Sequence, residues 1–456
     1  MHFKAVRDEE LWHRIQNSML EAMAIFVFTI ALGIINAIDI LKKNQDVGTS
    51  TPNDLTRAEL LFHLHSGVLG WLSLSSVTIL VWYFVAERDL DEVTLRKAHF
   101  VLKYVQIVLP TYVFLFYFTF TAANGEKLFR FIPLGNGGNG WYILMMLGAL
   151  AAIGGFAQAA SFGYSQLPKL EVKTTPHYLF LGGMITSTYG GFFGFVLETQ
   201  HFLAQTFFNA DKGQDGVASH AGAMEAGYLF MMVAGIIEWQ ILGDKQVAMD
   251  RSGKIEVYSF FFAGLAVSLG GGFNIIPIAA LNLPLELLGY YLLLTRVLMK
   301  IDPKSIMKSG ADRFLLPISI CLTFSIATFI YLLTKIVFLG QDPTEIFNSP
   351  FFNGIFLANN HSLFVGGMTA AVFMCMFAMF KEASDVGKMA ENVGFILMYI
   401  GLLGFMIVLI VRGYGQEHNK TGLADLRTDI AALMGIGLYI IMGVILMRYR
   451  KVRTAT

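Results

Sequence analysis

Along the chain, long apolar runs alternate with short polar connections. A helix crossing a bilayer needs about 20 mainly apolar residues. By that measure the runs fall near 18–41, 62–85, 99–121, 141–164, 177–203, 220–242, 256–279, 283–299, 314–338, 361–381, 393–412 and 428–447. The seventh and eighth are separated by almost no loop, because IIPIAALNLPLE carries two prolines where a connection belongs. Proline removes a helical N–H and interrupts the ladder there. No stretch reads as a separate soluble domain or a long linker. The pattern predicts an all-α polytopic membrane protein: one transmembrane domain over 1–456, with twelve spans.

Composition sharpens this picture. Hydrophobic residues make up 55% of the 456 and charged residues 14%, against roughly a quarter charged in soluble proteins. The formal net charge is zero, which gives no basic surface for nucleic acid. Cys321 and Cys375 both lie in apolar runs and read as buried small residues rather than a disulfide or metal site. Most lysines and arginines fall on one side of the ladder of spans, which predicts both termini in the cytoplasm. The first run is too long for a signal-peptide core and reads as a retained helix.

Histidines then stand out. His65 sits in HSGVLGW at the second run, His220 in HAGAMEAG at the sixth and His361 in HSLFVGG at the tenth. The steps from 65 to 220 and from 220 to 361 are 155 and 141 residues, four spans each. Each histidine opens its span near the outer face, with glycine close behind. A repeat at this period predicts three arcs of four helices, pseudo-repeats at about 1–170, 171–310 and 311–456. Neutral imidazole is a common axial ligand of heme iron, and ionisable groups inside membranes usually mark function. Interfacial packing residues would produce any one of these histidines; three at matching positions argue for a shared task.

By helix number and histidine placement the chain resembles the catalytic subunit I of the heme-copper oxidase superfamily, in its C-type oxidase and nitric oxide reductase branch. HLHSGVLGW is similar to the His-x-His-Ser-Gly stretch of C-type oxidases, although there it belongs to the tenth helix. The resemblance implies that His65 and His361 ligate a low-spin, b-type heme near the outer face. It implies that His220 matches the active-site metal ligand and that Arg412 meets heme propionates. His63 is left either as a ligand of a displaced second heme or as an interfacial residue. Departures from the family pattern are equally specific. Asn359 stands where the catalytic heme ligand belongs, and VYSFFFAGLAVSLGGGFNIIPIAAL contains none of the copper-ligating histidines of the seventh helix.

A different second metal site is suggested by Glu198 and His201 in FVLETQH, one turn apart, which with His220 and Glu225 form a nitrogen-and-oxygen set suited to non-heme iron. Glu21, Glu238 and Glu286 are buried acids of the kind that mark proton paths. The leading expectation is therefore a heme-binding membrane protein moving electrons through a bis-histidine heme. Its partners would be other respiratory membrane subunits and a cytochrome or quinol donor, in a bacterial or archaeal inner membrane. Two other readings stay open: an oxygen or nitric oxide reductase with an altered second metal site, and a cofactor-free secondary transporter.

Overall fold

The structure is a computed structural model and describes residues 5–37, 55–129, 131–135, 137–208, 216–243 and 247–455. Within them, twelve helices are long and apolar enough to cross a membrane. In chain order they are α1 (Glu9–Ala37), α2 (Arg57–Val85), α3 (Glu92–Ala123), α4 (Asn139–Lys169), α5 (Thr175–Leu203), α6 (Ser219–Leu242), α7 (Arg251–Gly272), α8 (Ile276–Lys300), α9 (Ala311–Phe338), α10 (Pro350–Met379), α11 (Lys388–Glu417) and α12 (Ala431–Thr454). The protein is thus an all-α integral membrane protein embedded in a lipid bilayer. The expected run 18–41 ends at 38–41, outside the described residues.

Most helices begin before their apolar run does. Two of the histidines expected to open their helices lie two to three turns inside instead. His65 is the last of nine residues in the helical stretch Arg57–His65, and His361 the last of twelve in Pro350–His361. The reason is local: Ser349 caps α10 by accepting from the Phe352 N–H, and Pro350 occupies the first turn, where its missing N–H costs nothing. Around the two prolines the chain turns after Gly272, forms a short helix Ile276–Ala280 and resumes at Asn282–Arg296.

Burial separates the helices sharply. The apolar cores of α2, α10 and α6 are 94%, 89% and 78% buried, against 22–56% for the other nine. Helices that are apolar all round belong in an interior, and the residues from Trp71 to Val85 are nearly all fully enclosed. Those same three helices carry the singled-out histidines. They also share a build: an α-helical stretch, a π-helical stretch, then α-helix again. The π-helical stretches are Ser66–Ser73, Ala223–Leu229 and Ser362–Thr369. π-Bulges are rare and concentrate at functional sites.

Residue contacts divide the chain into two compact units. One comprises Met1–Ile25 and Leu64–Lys300; the other comprises Phe26–His63 and Ile301–Thr456. Within the first, Asp91 caps α3 by accepting from the Thr94 N–H, and Lys169 at the end of α4 pairs with its other oxygen at 2.6 Å. In the second, α11 and α12 touch backbone to backbone. A Cβ at Gly401 would lie 2.1 Å from the Met434 nitrogen, and one at Gly437 would lie 2.3 Å from that of Met398. Small residues permit this approach, which drives helix association in lipid.

Candidate functional site

In the second unit, His63 sits against α1. Its Nδ1 donates to the Thr29 carbonyl at 2.9 Å, and a Cβ at Gly33 would lie 3.1 Å from its Cε1. A carbonyl only accepts, so Nδ1 carries the proton and Nε2 is the lone-pair nitrogen of the neutral ring. His361 of α10 is fixed the same way, donating from Nδ1 to the Leu357 carbonyl of its own helix at 2.8 Å. The edge of Phe405 on α11 meets its ring at 4.9 Å, with the planes at 87°. His63 and His361 belong to the same unit. A hydrogen bond from Nδ1–H to a carbonyl fixes both tautomer and ring orientation, so His63 and His361 each have the chemistry that would suit a ligand of heme iron.

Arg412 lies on α11 seven residues beyond Phe405, hence on the same face and about 10 Å along the axis. It is 3% exposed. A guanidinium this deep suits a planar carboxylate.

His65 belongs to the first unit, and there its ring stacks on Phe116 of α3, centroids 4.0 Å apart and planes at 23°. His220 repeats the setting of His63 closely. Its Nδ1 donates to the Gly190 carbonyl at 2.8 Å, and a Cβ at Gly194 would lie 3.0 Å from its ring. In both cases the carbonyl belongs to the preceding helix and the glycine follows four residues later. Both histidines also stand three residues ahead of their π-helical stretch. By contact it is His63, rather than His65, that corresponds to His220. The corresponding position on α10 is Asn359, which is buried.

The set Glu198, His201 and His220 is not drawn together. Glu198 accepts from the Tyr112 hydroxyl, His201 is exposed and stacks on Tyr142 at 5.3 Å, and His220 is held by Gly190. Among the described residues no three His, Cys, Asp or Glu side chains are grouped to hold a metal ion. Glu225 and Glu286 do approach each other, with Asn282 donating to Glu286 at 3.3 Å. Cys321 and Cys375 are free and buried, as their apolar surroundings predict.

No family model matches the chain, and no curated protein matches it either. The site therefore has to be read from its own chemistry.

One group of charges went unpredicted as a group. Arg296 binds both Glu238 and Glu256. The signal for it was present: acids inside two apolar runs and an arginine closing a third.

Proposed function

We propose that the protein is a heme-binding integral membrane protein of heme-copper oxidase type that carries electrons through one low-spin, b-type heme. His63 and His361 would hold the heme iron, and Arg412 would meet a carboxylate of the group. The observation that carries this reading is the pair of imidazoles in one unit, each with Nδ1–H bound to a backbone carbonyl. When bound, the heme supplies one-electron oxidation and reduction. The Thr29 and Leu357 carbonyls hold the two rings in the tautomer that leaves the lone pair on Nε2. Phe405 limits rotation of His361. Arg412 offers a fixed positive charge to a carboxylate. With both histidines on the iron, the group would supply electron transfer rather than substrate binding. Respiratory membrane subunits and a cytochrome or quinol donor are the matching partners.

The test is optical spectroscopy of the purified full chain, oxidised, dithionite-reduced and carbon-monoxide-treated, with a hemochrome assay. One heme with a sharp reduced band and no carbon monoxide response is expected. His63→Ala and His361→Ala are expected to lose that band, and His65→Ala to keep it. Loss in His65→Ala alone would move the ligand role to His65. A second, carbon-monoxide-binding heme would favour a terminal reductase. No heme in material made with heme available would defeat the proposal and favour a transporter.

A further inference from the structure

The first unit holds a buried charge cluster that the heme reading does not use. Arg296, near the end of α8, donates from Nη1 to Glu256 of α7 and from Nη2 to Oε1 of Glu238 on α6 at 2.9 Å. The same Nη2 reaches the Thr175 hydroxyl of α5 at 3.1 Å. The side chains of Glu238 and Glu256 are 2% and 0% exposed, and that of Arg296 is 17% exposed. Each carboxyl uses one oxygen on the guanidinium. The others, Glu238 Oε2 and Glu256 Oε1, are buried without a hydrogen-bond partner.

The charges do not balance if both acids are ionised. One guanidinium cancels one carboxylate and leaves a second, desolvated carboxylate with no counterion. The surroundings offer little relief. Asp250, which precedes α7, lies 3.9 Å from Arg296 Nε and adds negative charge, although the Gly253 N–H and the Ser252 hydroxyl bind it. Lys300 acts on Glu238 but is exposed to solvent. Thr175 is neutral. Two carboxyls crowded against one cation relieve the imbalance by sharing a proton.

We propose that Glu238 and Glu256 together hold one exchangeable proton against Arg296, where α6, α7 and α8 meet. With the proton bound the cluster is neutral; without it the cluster carries one negative charge. The partly exposed Arg296 is the side from which water reaches the cluster, so protons enter and leave there. The cluster is a one-proton site at the edge of the bundle, independent of whether heme is bound.

Infrared difference spectra of the full chain in lipid nanodiscs test this directly, in the carboxylic C=O stretching region. Glu238→Gln and Glu256→Gln are each expected to remove one protonated-acid band, because the remaining carboxylate is then balanced by Arg296. The double variant is expected to remove no more than that one. Transfer to D2O is expected to shift the band. Unchanged bands in both single variants would overturn the proposal, as would loss of two acids in the double variant. A band that emerges only when sodium is replaced by choline would assign the site to a monovalent cation and overturn it too. Should the Gln variants fail to fold, Arg296→Gln reads the same balance: gain of one acid band is expected, and no gain overturns the proposal.

Discussion

His63 and His65 are two residues apart on a helix, so their side chains point about 200° apart around its axis. The proposed heme site would therefore take one of them, and the contacts favour His63: the Thr29 carbonyl and Gly33 bracket it, whereas the His65 ring stacks on Phe116. Gly33→Val is expected to push against the His63 ring, where a Cβ alone would already sit 3.1 Å from Cε1. Heme content or the reduced band should fall in that variant, with helicity by circular dichroism unchanged. Tyr112 and Glu198 give a second residue-scale case. Both are buried, and the Tyr112 hydroxyl is the donor to a carboxyl whose other oxygen has no partner. Tyr112→Phe is expected to destabilise the fold by about 1–3 kcal/mol through the lost hydrogen bond, with Glu198→Gln closer to neutral. Denaturant titration in detergent measures both. None of this was legible in the sequence, which shows which residues are polar but not which face meets which helix. The histidine repeat pointed to α2, α6 and α10, the three most buried helices, but gave no sign that His63 repeats the carbonyl and glycine setting of His220.

Helices were far more legible than sites. An apolar run of about 20 residues has one stable arrangement in a bilayer, because every backbone polar group must bond within the segment. All twelve expected runs correspond to observed helices. Their beginnings were hidden, since capped first turns such as Ser349–Phe352 are polar and lie outside the apolar signal. The α11–α12 contact gives an element-scale expectation. Gly401→Leu puts a branched side chain where a Cβ already comes within 2.1 Å of the Met434 backbone nitrogen, so the helices must part. Lower yield of folded protein on size-exclusion chromatography is expected, with Gly422→Ala, where nothing lies near, as the harmless control. At α3, the Lys169 ammonium and the Thr94 N–H hold the Asp91 carboxyl well below the usual carboxylate range. A depressed carboxyl stabilises the fold fully above its ordinary pKa, about 3.9, and ceases to as pH falls through its lowered folded value. The expected outcome is acid sensitivity that begins below about pH 4 and weakens in Asp91→Asn. Thermal unfolding as a function of pH checks it.

At the scale of the whole molecule the chain is formally neutral, yet each unit closes around a buried cluster with unequal charges. The first has two acids on Arg296. The second has the reverse, two arginines on one acid. Glu391 of α11 is fully buried and accepts from Arg313 of α9 at 3.0 Å and from Arg448 of α12 at 2.6 Å, with the Gly310 N–H at 2.6 Å. Its surroundings disperse the extra positive charge. Arg313 lies over the Phe395 ring at 4.1 Å and donates to Asn392, and Arg448 lies over Phe377 at 4.8 Å and donates to the Val386 and Ser384 carbonyls. A carboxylate that joins three helices leaves two buried guanidiniums facing each other when it is removed. Glu391→Ala is therefore expected to destabilise the second unit by about 3–5 kcal/mol, the usual result of breaking a buried pair from one side. Glu391→Gln keeps a hydrogen-bond acceptor but not the charge, and should fall between. The contrast with the first unit is the sharper test. There the surplus is acidic and a proton can cancel it, so Glu256→Gln should leave unfolding in detergent close to that of the native chain. A surplus guanidinium stays charged at any accessible pH, so only the Glu391 variants should unfold early. Equal losses in the two units would mean that charge balance does not decide their stability.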